Sequence, residues 1–228
     1  MSEFPLPPEV NEAAPADSAR AQSPLSPTVK SRAGAIRILP LIGQIEGHTA
    51  VPESVKSTRY EEVLPLLCAL EEDEECRGIL LLLNTVGGDV EAGLAIAELI
   101  AGMNTPTVSL ILGGGHSIGI PLAVSATTSF VVPSATLTLH PVRFHGLVLG
   151  VEQSFDYFRD MQERIASFVC SHAEISKAEY FSLILATGNL ANDTGTILGG
   201  RDAVKKGLID RLGGVADALA CLKEKMKP

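Results

Sequence analysis

The chain has 228 residues, 46% of them hydrophobic and 20% charged, with a formal charge of −9. That length and apolar content suffice for one sizeable core, and the negative balance excludes nucleic acid and anionic membrane as main partners. The longest apolar runs, such as Ile79–Leu83, fall far short of the ~20 residues a membrane-spanning helix needs.

The opening Met1-Ser2-Glu3-Phe4-Pro5 lacks the basic and apolar regions of a signal peptide, and Cys68, Cys76, Cys170 and Cys221 show no CxxC spacing. Both features predict a cytoplasmic chain with reduced thiols. Residues Met1 to Pro27 hold six of the fourteen prolines and no hydrophobic periodicity, so residues 1–33 are expected to be a disordered tail. Residues 34–228 are expected to form the folded domain.

Within that domain Ala35–Ile42 reads as a first strand, followed by a helix over Thr58–Glu71. The acidic run Glu71-Glu72-Asp73-Glu74-Glu75 reads as a solvated helix end or loop. Then come a buried strand Gly78–Leu83, a helix Val90–Gly102, a second buried strand Thr107–Leu112, a helix Ser117–Ala126 and a short strand Ser129–Val132. Short unbroken apolar strands alternating with helices predict a parallel α/β sheet covered on both faces.

Chemistry is expected where the strands end. The first buried strand runs into Thr85-Val86-Gly87-Gly88-Asp89, the second into Gly113-Gly114-Gly115-His116-Ser117. In a parallel sheet both turns fall on the rim of carboxyl ends, where ligands collect. A serine flanked by glycines at a strand-to-helix turn exposes its hydroxyl, and His140 in Thr138-Leu139-His140-Pro141 can take its proton. The N–H of Ile118 and bare backbone at Gly87-Gly88 could form an oxyanion hole. The pattern also fits the nucleophile elbow of α/β-hydrolases, but those enzymes place their histidine last, and here no histidine follows His172. His116 cannot point the same way as Ser117 from a tight turn and reads as a supporting group. No His/Asp/Glu cluster has metal-ligand spacing.

Taken in order, Thr85-Val86-Gly87-Gly88-Asp89-Val90-Glu91-Ala92-Gly93, Gly114-Gly115-His116-Ser117-Ile118-Gly119, Leu139-His140-Pro141 and Lys206-Gly207-Leu208-Ile209-Asp210 resemble the four landmarks of the ClpP peptidase family. The resemblance covers about Ala35 to Leu212. The His116-Ser117 pair and the proline-bearing N-terminal extension look closer to the translocation-enhancing branch of Gram-positive spore formers than to housekeeping members.

The resemblance implies an α/β fold of ClpP/crotonase-like type, a repeated ββα superhelix with a handle strand and helix. It implies Ser117 as nucleophile, His140 as general base, Gly87 and Ile118 as oxyanion donors, and an acid late in the chain. The family's usual aspartate position falls on Gly195, two residues from Asp193. Asp193 is therefore the expected acid, the alternative being a histidine oriented by Asn192 or by backbone. His145–Val151 reads as a short apolar strand bracketed by glycines and Glu152–Cys170 as a long helix; in the resembled family such a strand and helix form the handle beside which an extended peptide lies, giving Gly88, Gly146, Leu147 and Val148 as substrate-binding positions. The helix carries Phe155, Phe158, Met161, Ile165, Phe168 and Val169 near helical spacing, a core or interface stripe.

The expectation is thus a self-compartmentalising serine endopeptidase acting on peptide or unfolded protein. It needs no metal or small cofactor and assembles as a homo-oligomeric ring, heptameric or stacked, with ATP used, if at all, by a partner unfoldase. The rivals are a crotonase-type acyl-CoA enzyme and a ClpP-like scaffold that has lost turnover.

Overall fold

The computed structural model describes residues 27–31, 34–144, 146, 150–190 and 193–227. Along the chain lie β1 (Thr28–Ser31), β2 (Gly34–Glu46), β3 (Ser57–Arg59), α1 (Tyr60–Glu72), β4 (Cys76–Gly88), α2 (Val90–Ala101), β5 (Thr107–Gly115), α3 (Gly119–Val124), β6 (Thr128–Val131) and β7 (Thr136–Leu139). The second part holds α4 (Val151–His172), α5 (Lys177–Ile184), β8 (Thr187–Leu190), β9 (Asp193–Thr194), β10 (Thr196–Gly199), α6 (Gly200–Lys205), β11 (Arg211–Leu212) and α7 (Val215–Lys225).

The main sheet has the order β1-β2-β4-β5-β6-β11, with β2, β4, β5, β6 and β11 parallel. Each strand from β2 to β6 steps one place across the sheet after a helix, as the alternation of apolar strands and helices requires. Because side chains alternate across a strand, β4 serves two cores. Ile79, Leu81 and Leu83 face the larger core with Leu67, Ile96, Ile100 and Leu122, from α1, α2 and α3. Leu80 faces the other side with Val108, Leu110 and Phe130, closed by Ala218, Cys221, Leu222 and Met226 of α7 and its end. Burial on both faces explains why these strands read as continuous apolar runs.

Several boundaries differ from expectation. β1 forms inside the stretch assigned to the tail and pairs antiparallel with β2 from Thr28↔Arg37 to Ser31↔Gly34; residues 1–26 lie outside the described residues. The acidic run is partly fastened: Glu71 accepts hydrogen bonds from the backbone of Asn104 and Thr105, and Asp73 is paired with Arg37 at 2.6 Å. α3 is shorter than predicted because Ser117 and Ile118 form the turn that precedes it.

The expected handle helix is present as α4. Its C-terminal half is core, through Met161, Ile165, Ala166, Phe168 and Val169. Its N-terminal half projects, leaving Val151 77% and Phe155 66% exposed. His145 and residues 147–149 lie outside the described residues, and with them Leu147 and Val148. Among the described residues no helix is long and apolar enough to cross a membrane, and the four cysteines are free thiols.

Candidate active site

The carboxyl ends of β4 and β5 meet at the register pair Thr85↔Gly115. Beyond it β4 continues to Gly87 and Gly88, while β5 turns through His116 and Ser117 into α3. Ser117 has φ 55° and is the one non-glycine residue with positive φ among those described. Holding a residue with a β-carbon there costs on the order of 1–3 kcal/mol, so its surroundings must fix it. They do so through the backbone: Ser117 N–H donates to Thr138 O at 2.8 Å, His116 N–H to Thr85 O at 3.2 Å, and Ile120 N–H to Ser117 O at 3.0 Å. Gly87 closes the other side. A Cβ on it would lie 2.7 Å from Ser117 Cβ and 3.3 Å from its Oγ, closer than any side chain permits. Its φ of +89° is also one that only glycine adopts freely.

β7 carries the second group. It touches β5 at Gly114↔Thr136 and pairs antiparallel with β10 from Thr196↔Leu139 to Gly199↔Thr136. Running past Ser117, it ends at His140. Ser117, Ile118, Gly88 and His140 line one cavity of about 130 Å³ with an apolar wall that includes Val90, Ile120, Leu139, Ile165 and Tyr180. No hydrogen bond joins Ser117 to His140 directly; such bonds are often long until substrate is bound.

His140 Nδ1 lies 2.7 Å from the carbonyl of Pro141. A carbonyl only accepts, so Nδ1 carries the proton, and in the neutral ring Nε2 is left as the acceptor. Burial is the largest influence on this imidazole and holds its pKa below the ordinary histidine value. The Pro141 carbonyl opposes that depression, Arg143 adds to it, and Asp193 opposes it at longer range. The ring is therefore a neutral base at pH 7.

His116 does not enter the cavity wall. Its Nδ1 lies 2.9 Å from Thr138 Oγ1, so it ties the serine turn to the strand that delivers His140. Burial, and then the nearby His140, keep its pKa low as well.

Asp193 is bonded to Arg143 and Thr194 rather than to His140. Its Oδ2 pairs with Arg143 at 2.6 Å and its Oδ1 accepts from Thr194 N–H at 2.7 Å. No hydrogen bond joins it to His140, whose Nδ1 is already engaged by Pro141. Position 195 does lie against His140: a Cβ there would be 3.0 Å from His140 Cβ, but 2.3 Å from Leu139 O. The place next to the histidine is thus filled by a glycine at φ +140° with no room for a side chain. Asn192, the other side chain considered, lies outside the described residues.

Gly146, proposed to contact peptide, is exposed and is not among the residues lining the cavity. Three residues with a stake in this geometry were not assigned roles from sequence: Thr85, Thr138 and Arg143. The first two sit inside the quoted motifs, and Thr138 is two residues before His140 on the same strand. Arg143 gives no local signal, because its partner is fifty positions away.

A parallel sheet that steps in one direction, with glycine-walled strand ends, a strained serine and a separate projecting helix, defines the ClpP-type α/β fold. The Clp protease family model matches residues 41–215, and the chain belongs to that family. It is 52% identical over 189 residues to the translocation-enhancing protein TepA of Halalkalibacterium halodurans, covering 83% of this chain and 74% of the relative. This places it in the TepA branch.

More distant relatives include the ATP-dependent Clp protease proteolytic subunit 1 of Protochlamydia amoebophila, 28% identical over 44% of this chain and 50% of the relative. Subunit 2 of Tropheryma whipplei is 24% identical over 52% of this chain and 68% of the relative.

Proposed function

We propose that the protein is a serine endopeptidase that cleaves peptide bonds through an acyl-enzyme on Ser117. The observation that carries this reading is the strained Ser117, fixed by backbone bonds and lining one cavity with a half-buried, neutral His140. His140 Nε2 takes the hydroxyl proton as Oγ attacks the substrate carbonyl, then returns it to the leaving amine. Ile118 N–H, at the start of α3 where amides lack intrahelical acceptors, and Gly87 N–H receive the oxyanion. The apolar cavity wall favours an aliphatic side chain beside the cleaved bond.

In this reading the Pro141 carbonyl orients His140, and Asp193 acts on it only through its field, in opposition to Arg143. The site is then a Ser-His dyad with a remote charge pair. The exposed Val151, Phe155 and Tyr157 of α4, with Phe158 of the same helix in ring contact with Phe144, support a homo-oligomer formed through that helix. Ring assembly, work in the cytoplasm on unfolded protein and service to an ATP-driven unfoldase extend this reading from the relatives named Clp proteolytic subunits.

Turnover of a fluorogenic peptide by the purified oligomer, lost in Ser117→Ala, tests the proposal. Equal turnover by both proteins would reject it. The displaced acid keeps a second reading in play, a scaffold without turnover, which predicts no hydrolysis by correctly assembled protein.

A further inference from the structure

Thr85 is 1% exposed and makes four connections at once. Its hydroxyl donates to Gly43 O at 2.6 Å and accepts from Gly87 N–H at 3.0 Å. Its carbonyl accepts from His116 N–H. Its methyl lies under the start of α3, where a Cβ on Gly119 would be 2.6 Å from Cγ2. The direction of the two hydroxyl bonds is fixed: the single hydroxyl proton is committed to the Gly43 carbonyl, so toward Gly87 the oxygen can only accept. The Gly87 amide assigned above to the oxyanion is therefore already occupied, by a group on its own strand.

We propose that Thr85 is a positioning residue that caps the Gly87 N–H, so that this oxyanion donor becomes available only when a substrate oxygen displaces the Thr85 hydroxyl. The inference rests on the serine-peptidase reading above. A neutral substrate carbonyl and a hydroxyl are acceptors of similar strength, so a bound peptide gains little by the exchange. An oxyanion is a much stronger acceptor, so the exchange becomes favourable as negative charge develops. The cap thus lowers the rate from free enzyme to transition state by about the fold-change of one neutral hydrogen bond, roughly three- to tenfold, and keeps a buried amide satisfied at rest.

The test uses the full-length oligomer with a fluorophosphonate probe, which forms a bond from Ser117 Oγ to phosphorus, expels fluoride and passes the hydroxyl proton to His140. Labelling rates are measured for wild type, Thr85→Val and Thr85→Ser, alongside hydrogen exchange at the Gly87 amide. Thr85→Ala replaces the valine variant should the latter not fold.

Thr85→Val is expected to label three- to tenfold faster and to lose protection at Gly87. Thr85→Ser keeps both hydroxyl bonds and is expected within twofold of wild type on both readouts. Labelling of Thr85→Val at or below the wild-type rate, or unchanged protection of Gly87, overturns the role of Thr85 while Ser117 remains reactive. Lost protection at Gly87 with no labelling of Ser117 in any variant overturns the proposal from the other side, by removing the peptidase reading on which it rests.

Discussion

The two flanks of His140 are built differently. On the Ser117 side the connections are backbone bonds and hydroxyl contacts: Ser117 N–H to Thr138 O, His116 N–H to Thr85 O, Ile120 N–H to Ser117 O, Thr85 to Gly43, His116 to Thr138. On the other side stand Arg143 and Asp193, 52% and 43% exposed at their side chains, joined to each other by a surface ion pair. Backbone ladders are cooperative with the fold, whereas an exposed ion pair contributes on the order of 0–1 kcal/mol. Ser117 is therefore positioned by the fold itself, while Arg143 and Asp193 are held by a pair that solvent can reach. Substitutions on the two flanks should differ in effect by orders of magnitude.

The largest effect belongs to Ser117→Ala, which should abolish peptide hydrolysis and covalent labelling, a loss of several orders of magnitude in kcat, while circular dichroism and oligomer mass stay unchanged. His140→Ala should fall into the same range, since Ser117 then has no proton acceptor. Retention of more than a few per cent of activity by either pure variant would break the first half of the comparison.

Gly87→Ala follows. Its methyl would overlap Ser117 Cβ at 2.7 Å and force a side chain into φ +89°. Activity should drop at least a hundredfold and the melting temperature should fall, as for other strained or overpacked sites costing about 1–3 kcal/mol. A variant with wild-type kcat and melting temperature would mean that the strand end moves freely.

Asp193→Asn sharpens the comparison most. Neutralising a carboxylate bonded directly to a catalytic imidazole costs about 10⁴ in kcat, but here the bond to His140 Nδ1 comes from Pro141. The expected loss is therefore less than about tenfold. A loss near 10⁴ in the assembled oligomer would show that Asp193 leaves Arg143 and reaches His140 during turnover.

The smallest effect is on pH. Burial depresses the His140 pKa, so its imidazole is neutral at pH 7. Activity should fall only as pH drops through an inflexion below the ordinary value of about 6.5. Arg143 lowers this pKa and Asp193 raises it; Arg143→Ala should move the inflexion up and Asp193→Asn should move it down. Shifts of the same sign in both variants would refute the field argument.

The same contrast decides what could be read in the sequence. Ser117, His140 and the glycines at 87 and 88 stand in short local patterns whose chemistry is carried by neighbours in the chain, and β4 and β5 announce themselves by apolar runs buried on both faces. β7, four residues long, has no such run; it is held in place by Thr138 and by β10, some sixty residues later. In the sequence Asp193 is marked out only by its closeness to position 195. The ion pair that claims it depends on Arg143, and no spacing rule links the two. β1 gives no sequence signal for a similar reason: Thr28–Ser31 is short and mostly exposed, with Val29 its one apolar residue, and it becomes a strand because the edge of β2 offers it hydrogen bonds.

The central claim is that Ser117 is a nucleophile activated by His140, and intact-mass analysis after treatment with a fluorophosphonate probe tests it most directly. One adduct per chain is expected, mapping by peptide analysis to Ser117, absent from Ser117→Ala and strongly slowed in His140→Ala. An assembled, folded wild-type protein that takes up no adduct, or takes it up equally in Ser117→Ala, would contradict it.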